Sequence, residues 1–216
     1  MSKLEILGRH TSYNVQKVLW LADELNIEYT HTQIGGRFGG TDSSEFLRMN
    51  PMGKVPVLRH GANVICESNT IVRYLAASFA AESWMGTTPF ERSLRERWMD
   101  WSIGNLEPAF VGVFWGFYRT PADKRHRKSI ESSVKACEIC LRQLDNQLGN
   151  NHFLLGSVPS LADIATGVFL HRLWEIELAI EFPDNVRNWY DELSKRPGYK
   201  RWAMSDFAEL ANRTGY

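Results

Sequence analysis

The feature that most restricts this chain is a proline at the mouth of a strand. Val55-Pro56 stands inside the run MNPMGKVPVL, RHGANVI, CESNTIVRYL, residues 49–75, which reads as loop, strand, tight turn, strand, helix. Asn50-Pro51-Met52-Gly53 is turn chemistry, with proline pre-setting φ and glycine free to take φ > 0. Proline cannot donate a ladder hydrogen bond, so Pro56 belongs at a sheet edge or at the first residue of a strand. A cis Val55-Pro56 bond would turn the Val55 N–H and C=O outward, free to pair with a guest backbone; composition alone does not require it. At the other end, Glu67-Ser68 directly precedes an amphipathic helix. A helix N-terminus offers unpaired N–H groups and partial positive charge to a carboxylate. Ser68 adds a hydroxyl donor and Glu67 can take an ammonium group. A ligand with both an α-ammonium and an α-carboxylate would satisfy the two residues together, although a plain helix cap would also account for them.

The rest of the first half fits around this run. Residues 4–7 read as a strand, 8–13 as a loop, and 14–26 as a helix with Val15, Val18, Leu19, Ala22 and Leu25 on one stripe. Residues 27–34 hold a second strand, 35–43 a glycine-rich loop and 44–49 a helical turn. The helix that closes this half ends near Ala80. The order is β-α-β-(α)-β-β-α. Residues 81–89 lack periodicity and mark a boundary; beyond them the pattern is helical throughout. A long aromatic helix spans 91–118 with a kink expected at Pro108. Thr120-Pro121-Ala122-Asp123 predicts a helix start, with the helix running to 148 and stopped by Gly149. Ser160-Leu161-Ala162-Asp163 is a capping box opening a helix to about 180, and Pro183-Asp184 opens another that stops near Pro197.

At 216 residues the chain can bury a substantial core, and its formal net charge of zero gives no electrostatic case for nucleic acid or an anionic membrane surface. No apolar run approaches the roughly 20 residues that span a bilayer, and the N-terminus enters a strand pattern without a signal-peptide core. Three cysteines suit a reducing cytosol better than a disulfide framework, so a cytoplasmic location is expected. The six histidines show no ligand spacing, so no metal is expected.

GKVPVL followed by CESNTIVRYLA, with SLADIA in the second half, closely resembles the soluble glutathione transferases. The likeness is greatest to small bacterial members of the Ser/Asn type, some of which dehalogenate small acids. The resemblance implies an α/β + all-α architecture: a thioredoxin-like domain over 1–80, a linker over 81–89, and an all-helical domain over 90–216 carrying the electrophile side. It implies a cis Pro56, a Val55 backbone paired with the cysteinyl unit of glutathione, and Glu67-Ser68 on its γ-glutamyl end. It further implies a buried structural Asp163, a homodimer, and glutathione as co-substrate with a small electrophile. Arg73, on the helix that the family packs against a second subunit, is expected at that interface.

Only the thiolate of glutathione is a good nucleophile, and the family keeps its thiolate-stabilising residue in the loop before the first helix. By register with Lys17-Val18, Ser12 falls where Ser-type members carry the hydroxyl, and Asn14 where some bacterial and fungal members have an asparagine; Thr11 is a further candidate. Lys54 and Arg37 are candidates for the glycyl carboxylate. No cysteine lies between Gly8 and Lys17, which tells against glutaredoxin-type chemistry. Cys137 and Cys140 spell C-x-x-C inside a helical pattern and read as core thiols. Trp115, Tyr118 and Arg119 are electrophile-site candidates, with Val111 and Phe114 beside them; an arginine on an aromatic face needs an anion. Glutathione-dependent disulfide reduction, and a non-catalytic binding or assembly module of the same fold, stand as alternatives to transfer.

Overall fold

A computed structural model describes residues 3–79 and 81–215. Four short strands form one sheet: β1 (Leu4–Leu7), β2 (Thr30–Thr32), β3 (Val57–His60) and β4 (Asn63–Cys66), in the spatial order β2-β1-β3-β4. β1 runs parallel to β2 and antiparallel to β3, with Ile6 opposite both His31 and Leu58. Gly61, at φ +61°, opens the two-residue turn that folds β3 back onto β4. Pro56 precedes β3, and the Val55-Pro56 peptide is cis.

Helix α1 (Tyr13–Glu24) connects β1 to β2 and is buried almost all round; Val15, Val18, Leu19, Trp20, Leu21 and Ala22 have no exposed surface. A helix apolar on every side must be covered on every side. Here the sheet and α3 (Ser68–Ser78) cover one flank, and the second half of the chain covers the other. The remaining helix of the first half is α2 (Ser44–Met49), capped by Ser43, whose hydroxyl accepts from the Phe46 N–H. The last described residue of α3 is Ser78; the expected end at Ala80 falls outside the described residues.

The expected featureless connector holds a helical turn, α4 (Glu82–Met85). α5 (Pro89–Trp101) starts on a full capping box made by Thr88 and Glu91, with Pro89 at its first position. The chain stays helical from there to Arg119, through a π-helical turn (Ser102–Leu106), α6 (Glu107–Val113) and a second π-helical turn (Phe114–Arg119). The irregularity expected at Pro108 therefore lies in the π turn just before it. That turn lets a residue without an N–H enter where the regular ladder is already broken.

Two helix expectations need correction. α7 spans Arg127–Leu148 and does not begin at Thr120. The Thr120 hydroxyl donates backward to the Trp115 C=O instead of capping forward, Pro121 is extended at ψ 144°, and only a single 3-10 turn (Ala122–Lys124) follows. The helix expected to continue from Ser160 to about 180 is two helices, α8 (Leu161–Gly167) and α9 (Leu170–Glu175), separated at Val168-Phe169. α10 (Asp184–Lys195) then packs on α7.

The capping box of α8 is also the hub of the helical half. Asp163, fully buried, accepts from the Ser160 N–H and hydroxyl, from the Leu154 N–H and from Trp189 Nε1 of α10, all at 2.8–3.0 Å. The two halves share one hydrophobic core, and Arg196 grips Glu24 at the end of α1 through two nitrogens. The C-terminal segment returns over this junction: the Asn212 N–H donates to the Tyr118 C=O.

Candidate functional site

A cleft of about 280 Å³ opens where the loop between β1 and α1 meets the second π turn and α9. The loop can lie close to Val55 because residue 8 is glycine: at φ +153° a Cβ there would stand 2.5 Å from Val15 Cγ2 and 3.0 Å from Val55 Cβ. Asn50 holds the opposite rim by donating from Nδ2 to the Lys54 C=O at 2.7 Å.

Three hydroxyl residues stand side by side in the loop, and the fold treats them differently. Thr11 is buried; its hydroxyl donates to Glu209 at 2.6 Å, and its C=O accepts from Arg172 at 2.7 Å. The Tyr13 hydroxyl donates to Glu107 at 2.9 Å, and burial together with that carboxylate pushes the phenol well above its ordinary range. Ser12 occupies the N-cap position of α1 with extended backbone, yet its side chain makes no capping bond and lines the cleft. The first N–H groups of α1 and their partial positive charge sit beside it.

The cleft brings together Ser12, Asn14, Lys54, Val55, Trp115 and Arg119 of the residues singled out from sequence. Ser68 joins through Asn14, because its hydroxyl donates to Asn14 Oδ1 at 3.0 Å. Glu67 is exposed at the N-terminus of α3 and holds a left-handed φ of +68°, unusual for a non-glycine residue. Tyr118 does not line the cleft; it stacks on Phe114 and meets Phe207 edge-on. Arg37 pairs with Glu209 at 2.9 Å. Arg73, expected to face a partner subunit, pairs with Glu96 and Asp100 of its own chain.

Arg9, Phe114, Arg172 and Leu210 also line the cleft and were not among the expected site residues. Arg172 is the most informative. It is 1% exposed, donates to the Thr11 C=O and to Gln16 Oε1, and sits between the rings of Phe114 and Phe207. Burial lowers its pKa to about 9, and Arg9 and Arg119 push in the same direction. Its signal in the sequence is an arginine inside the apolar run FLHRLW, but nothing local points it at residues 9 and 119. Beneath the site Lys17 is fully buried near Glu107, with its pKa lowered to about 8 by burial.

Cys137 and Cys140 are buried, and burial pushes the Cys137 thiol up to about 12, so neither is a nucleophile near neutral pH. Among the described residues no group of His, Cys, Asp or Glu could hold a metal ion, and no helix is long and apolar enough to cross a membrane.

Two family models match the sequence. Glutathione S-transferase, N-terminal domain, matches residues 11–78, and glutathione S-transferase, C-terminal domain, matches residues 127–192. Glutathione S-transferase GstB of Escherichia coli strain K12 is 34% identical over 93% of this chain and 98% of its own. Elongation factor 1-gamma 2 of Oryza sativa subsp. japonica is 31% identical over 73% of this chain and 38% of its own. Among solved structures, the theta class glutathione S-transferase of the citrus canker pathogen Xanthomonas axonopodis pv. citri, with glutathione bound, is 38% identical. It covers 95% of this chain and 99% of its own with a TM-score of 0.88.

Proposed function

The chain belongs to the glutathione S-transferase family, and we propose that its cleft seats glutathione with the sulfur beside Ser12 and transfers that sulfur to a small electrophile entering past Trp115 and Arg119. It is a glutathione transferase with glutathione as its co-substrate. The observation that carries the assignment of Ser12 is that its two hydroxyl neighbours are engaged elsewhere, Thr11 by Glu209 and Tyr13 by Glu107, while Ser12 faces the cleft.

Ser12 acts as a hydrogen-bond donor to the thiolate. A hydrogen bond to a charged group is worth roughly 1.5–3 kcal/mol, and one pKa unit is about 1.4 kcal/mol, so the thiol falls by about one to two units. The N-terminus of α1 adds about 0.3–1 kcal/mol in the same direction. The thiol proton leaves to solvent, the thiolate attacks the electrophilic carbon, a C–S bond forms, and the leaving group departs with its electron pair. The Val55 backbone pairs with the cysteinyl unit and Lys54 takes the glycyl carboxylate. Ser68 and the start of α3 take the γ-glutamyl carboxylate, and Glu67 takes the ammonium. Asn14, bonded to Ser68, ties the sulfur end to the γ-glutamyl end. Small halo-acids belong among the electrophiles this reading admits. The family also supports a homodimer in the cytoplasm, which light scattering and fractionation test.

The deciding experiment is the pH profile of glutathione conjugation to a chloro-dinitro-arene. Ser12→Ala is expected to move the inflection up by about one to two units, with a tenfold to hundredfold loss of kcat/KM below it. An unmoved inflection would transfer the role to Asn14, and activity confined to mixed disulfides would favour glutathione-dependent disulfide reduction.

A further inference from the structure

We propose that Arg119 and Arg172, with Arg9, form an anion subsite that takes a carboxylate carried by the second substrate, so that this transferase selects acidic electrophiles. The proposal rests on the sulfur lying beside Ser12, as argued above.

The first support is the charge lining the cleft. Arg9, Lys54, Arg119 and Arg172 face it, and no aspartate or glutamate is among its described lining residues. Glutathione answers only part of this. In the seating proposed above its glycyl carboxylate meets Lys54, and its γ-glutamyl carboxylate goes to Ser68 at the start of α3, neither of which involves the helical half. The cations supplied by the helical half, Arg119 from the second π turn and Arg172 from α9, stand where the second substrate enters.

The second support is burial. Arg119 is 2% exposed and Arg172 is 1% exposed. Guanidinium groups withdrawn from water are costly unless an anion or a full set of acceptors meets them. The charged and titratable groups that act on Arg172 are Tyr13, Tyr118, Arg9 and Arg119, so its neighbours include two more cations and no carboxylate. Its Nε is buried without a hydrogen-bond partner, while one terminal nitrogen bonds the Thr11 C=O and Gln16. A guanidinium has five N–H donors in a fixed fork, which suits two carboxylate oxygens.

The third support is orientation. The Arg119 guanidinium lies 3.7 Å from the centre of the Trp115 ring, and its Nε donates to the Arg213 C=O. Stacking and that one bond fix the plane of the group beside an aromatic wall. An aromatic or short aliphatic acid can then rest its body on Trp115 and place its carboxylate on the arginines.

A competing role for the same arginines is to lower the thiol pKa by their charge alone. That role affects every electrophile equally, whereas a carboxylate subsite discriminates. The test therefore uses a matched pair, 4-chloro-3,5-dinitrobenzoate and its methyl ester. In each the thiolate forms a C–S bond to the chlorine-bearing carbon and chloride leaves with the electron pair. Rates are divided by the uncatalysed rates with glutathione at the same pH. The wild-type enzyme is expected to favour the acid over the ester at least tenfold in normalised kcat/KM, and Arg119→Gln to lower that ratio at least tenfold. Arg119→Lys, which keeps the charge but loses the fork, should lie between them, and Arg9→Gln gives an independent reading should either fail to fold. A wild-type ratio near one, or an equal loss on both substrates in Arg119→Gln, overturns the subsite. If wild type conjugates neither compound, the transfer reading at this cleft has failed separately. The subsite is then judged by quenching of tryptophan fluorescence: tighter binding of 3,5-dinitrobenzoate than of 3,5-dinitrobenzamide supports it, and equal binding overturns it.

Discussion

Replacing Lys17 with methionine should stabilise this protein at neutral pH and lose that advantage as the pH rises. Lys17 has no exposed surface, its Nζ stands 3.9 Å from Glu107 Oε2, and the nearest aromatic ring centre is Phe169 at 5.2 Å. Burial lowers its pKa to about 8 from an ordinary 10.5, with Glu107 and then Glu67 pulling it partly back. The folded pKa lies below the unfolded one, so between about 8 and 10.5 the unfolded chain holds a proton that the folded chain does not. Stability from this group therefore rises with pH through that window and is lowest below pH 8. The full difference corresponds to about 3 kcal/mol. Methionine keeps the unbranched stem and removes the charge. It also strips Glu107 of its cation, but Glu107 keeps the Tyr13 hydroxyl and is 21% exposed, which limits that loss to about 1 kcal/mol. The expected net gain at pH 7 is about 1–2 kcal/mol. Urea unfolding of both proteins at pH 7, 8, 9 and 10 reads it directly. Arg172 and the buried tyrosines titrate in both proteins, so the difference between them isolates Lys17. A variant less stable by more than about 2 kcal/mol at pH 7, with a difference flat in pH, would show a fully compensated structural cation and refute the reasoning.

Other substitutions follow from the same accounting. Asp163→Ala should cost on the order of 3–5 kcal/mol, because it orphans the buried N–H groups of Leu154, Ser160 and Trp189 together; a shift in the urea midpoint under 1 kcal/mol would contradict it. Gly112→Ala should lower the melting temperature, since its Cβ would stand 2.3 Å from Ser133 Oγ and 2.9 Å from Ser133 Cβ, forcing α6 and α7 apart. Gly104→Ala, with nothing within 4 Å of the added carbon, should leave that temperature unchanged or raise it. Glu209→Gln weakens the bonds to Thr11 and Arg37, and should speed hydrogen exchange over residues 207–213, read by mass spectrometry against wild type.

Much of the fold could be read locally, and what could not has identifiable physical causes. The strand pair around Gly61, the proline before β3 and the capping box at Ser160 are each built by residues within a few positions of one another, so sequence suffices for them. The start of α7 was misread because Thr120-Pro121-Asp123 has the right local form, yet the Thr120 hydroxyl is claimed by a carbonyl of the preceding π turn. The break between α8 and α9 carries no glycine or proline, and so no local signal; packing of Gly167 against Leu193 and Trp189 of α10 accompanies it.

The candidate site shows the same division more sharply. Thr11, Ser12 and Tyr13 offer three hydroxyls in three consecutive positions, and no local rule ranks them. Their ranking comes from partners far along the chain: Glu209 is 198 residues from Thr11, and Glu107 is 94 residues from Tyr13. Both partners belong to the helical half, so that half shapes the chemistry of a loop it does not contain. It withdraws two of the three hydroxyls and leaves the third facing the cleft. The arginines obey the same logic, since residues 9, 119 and 172 acquire a joint meaning only when the π turn and α9 close on the loop after β1. A thioredoxin-like half isolated from its helices would keep Ser12 at the start of α1. It would lose the contacts that distinguish that serine from its neighbours, along with two of the three guanidiniums proposed to choose the substrate.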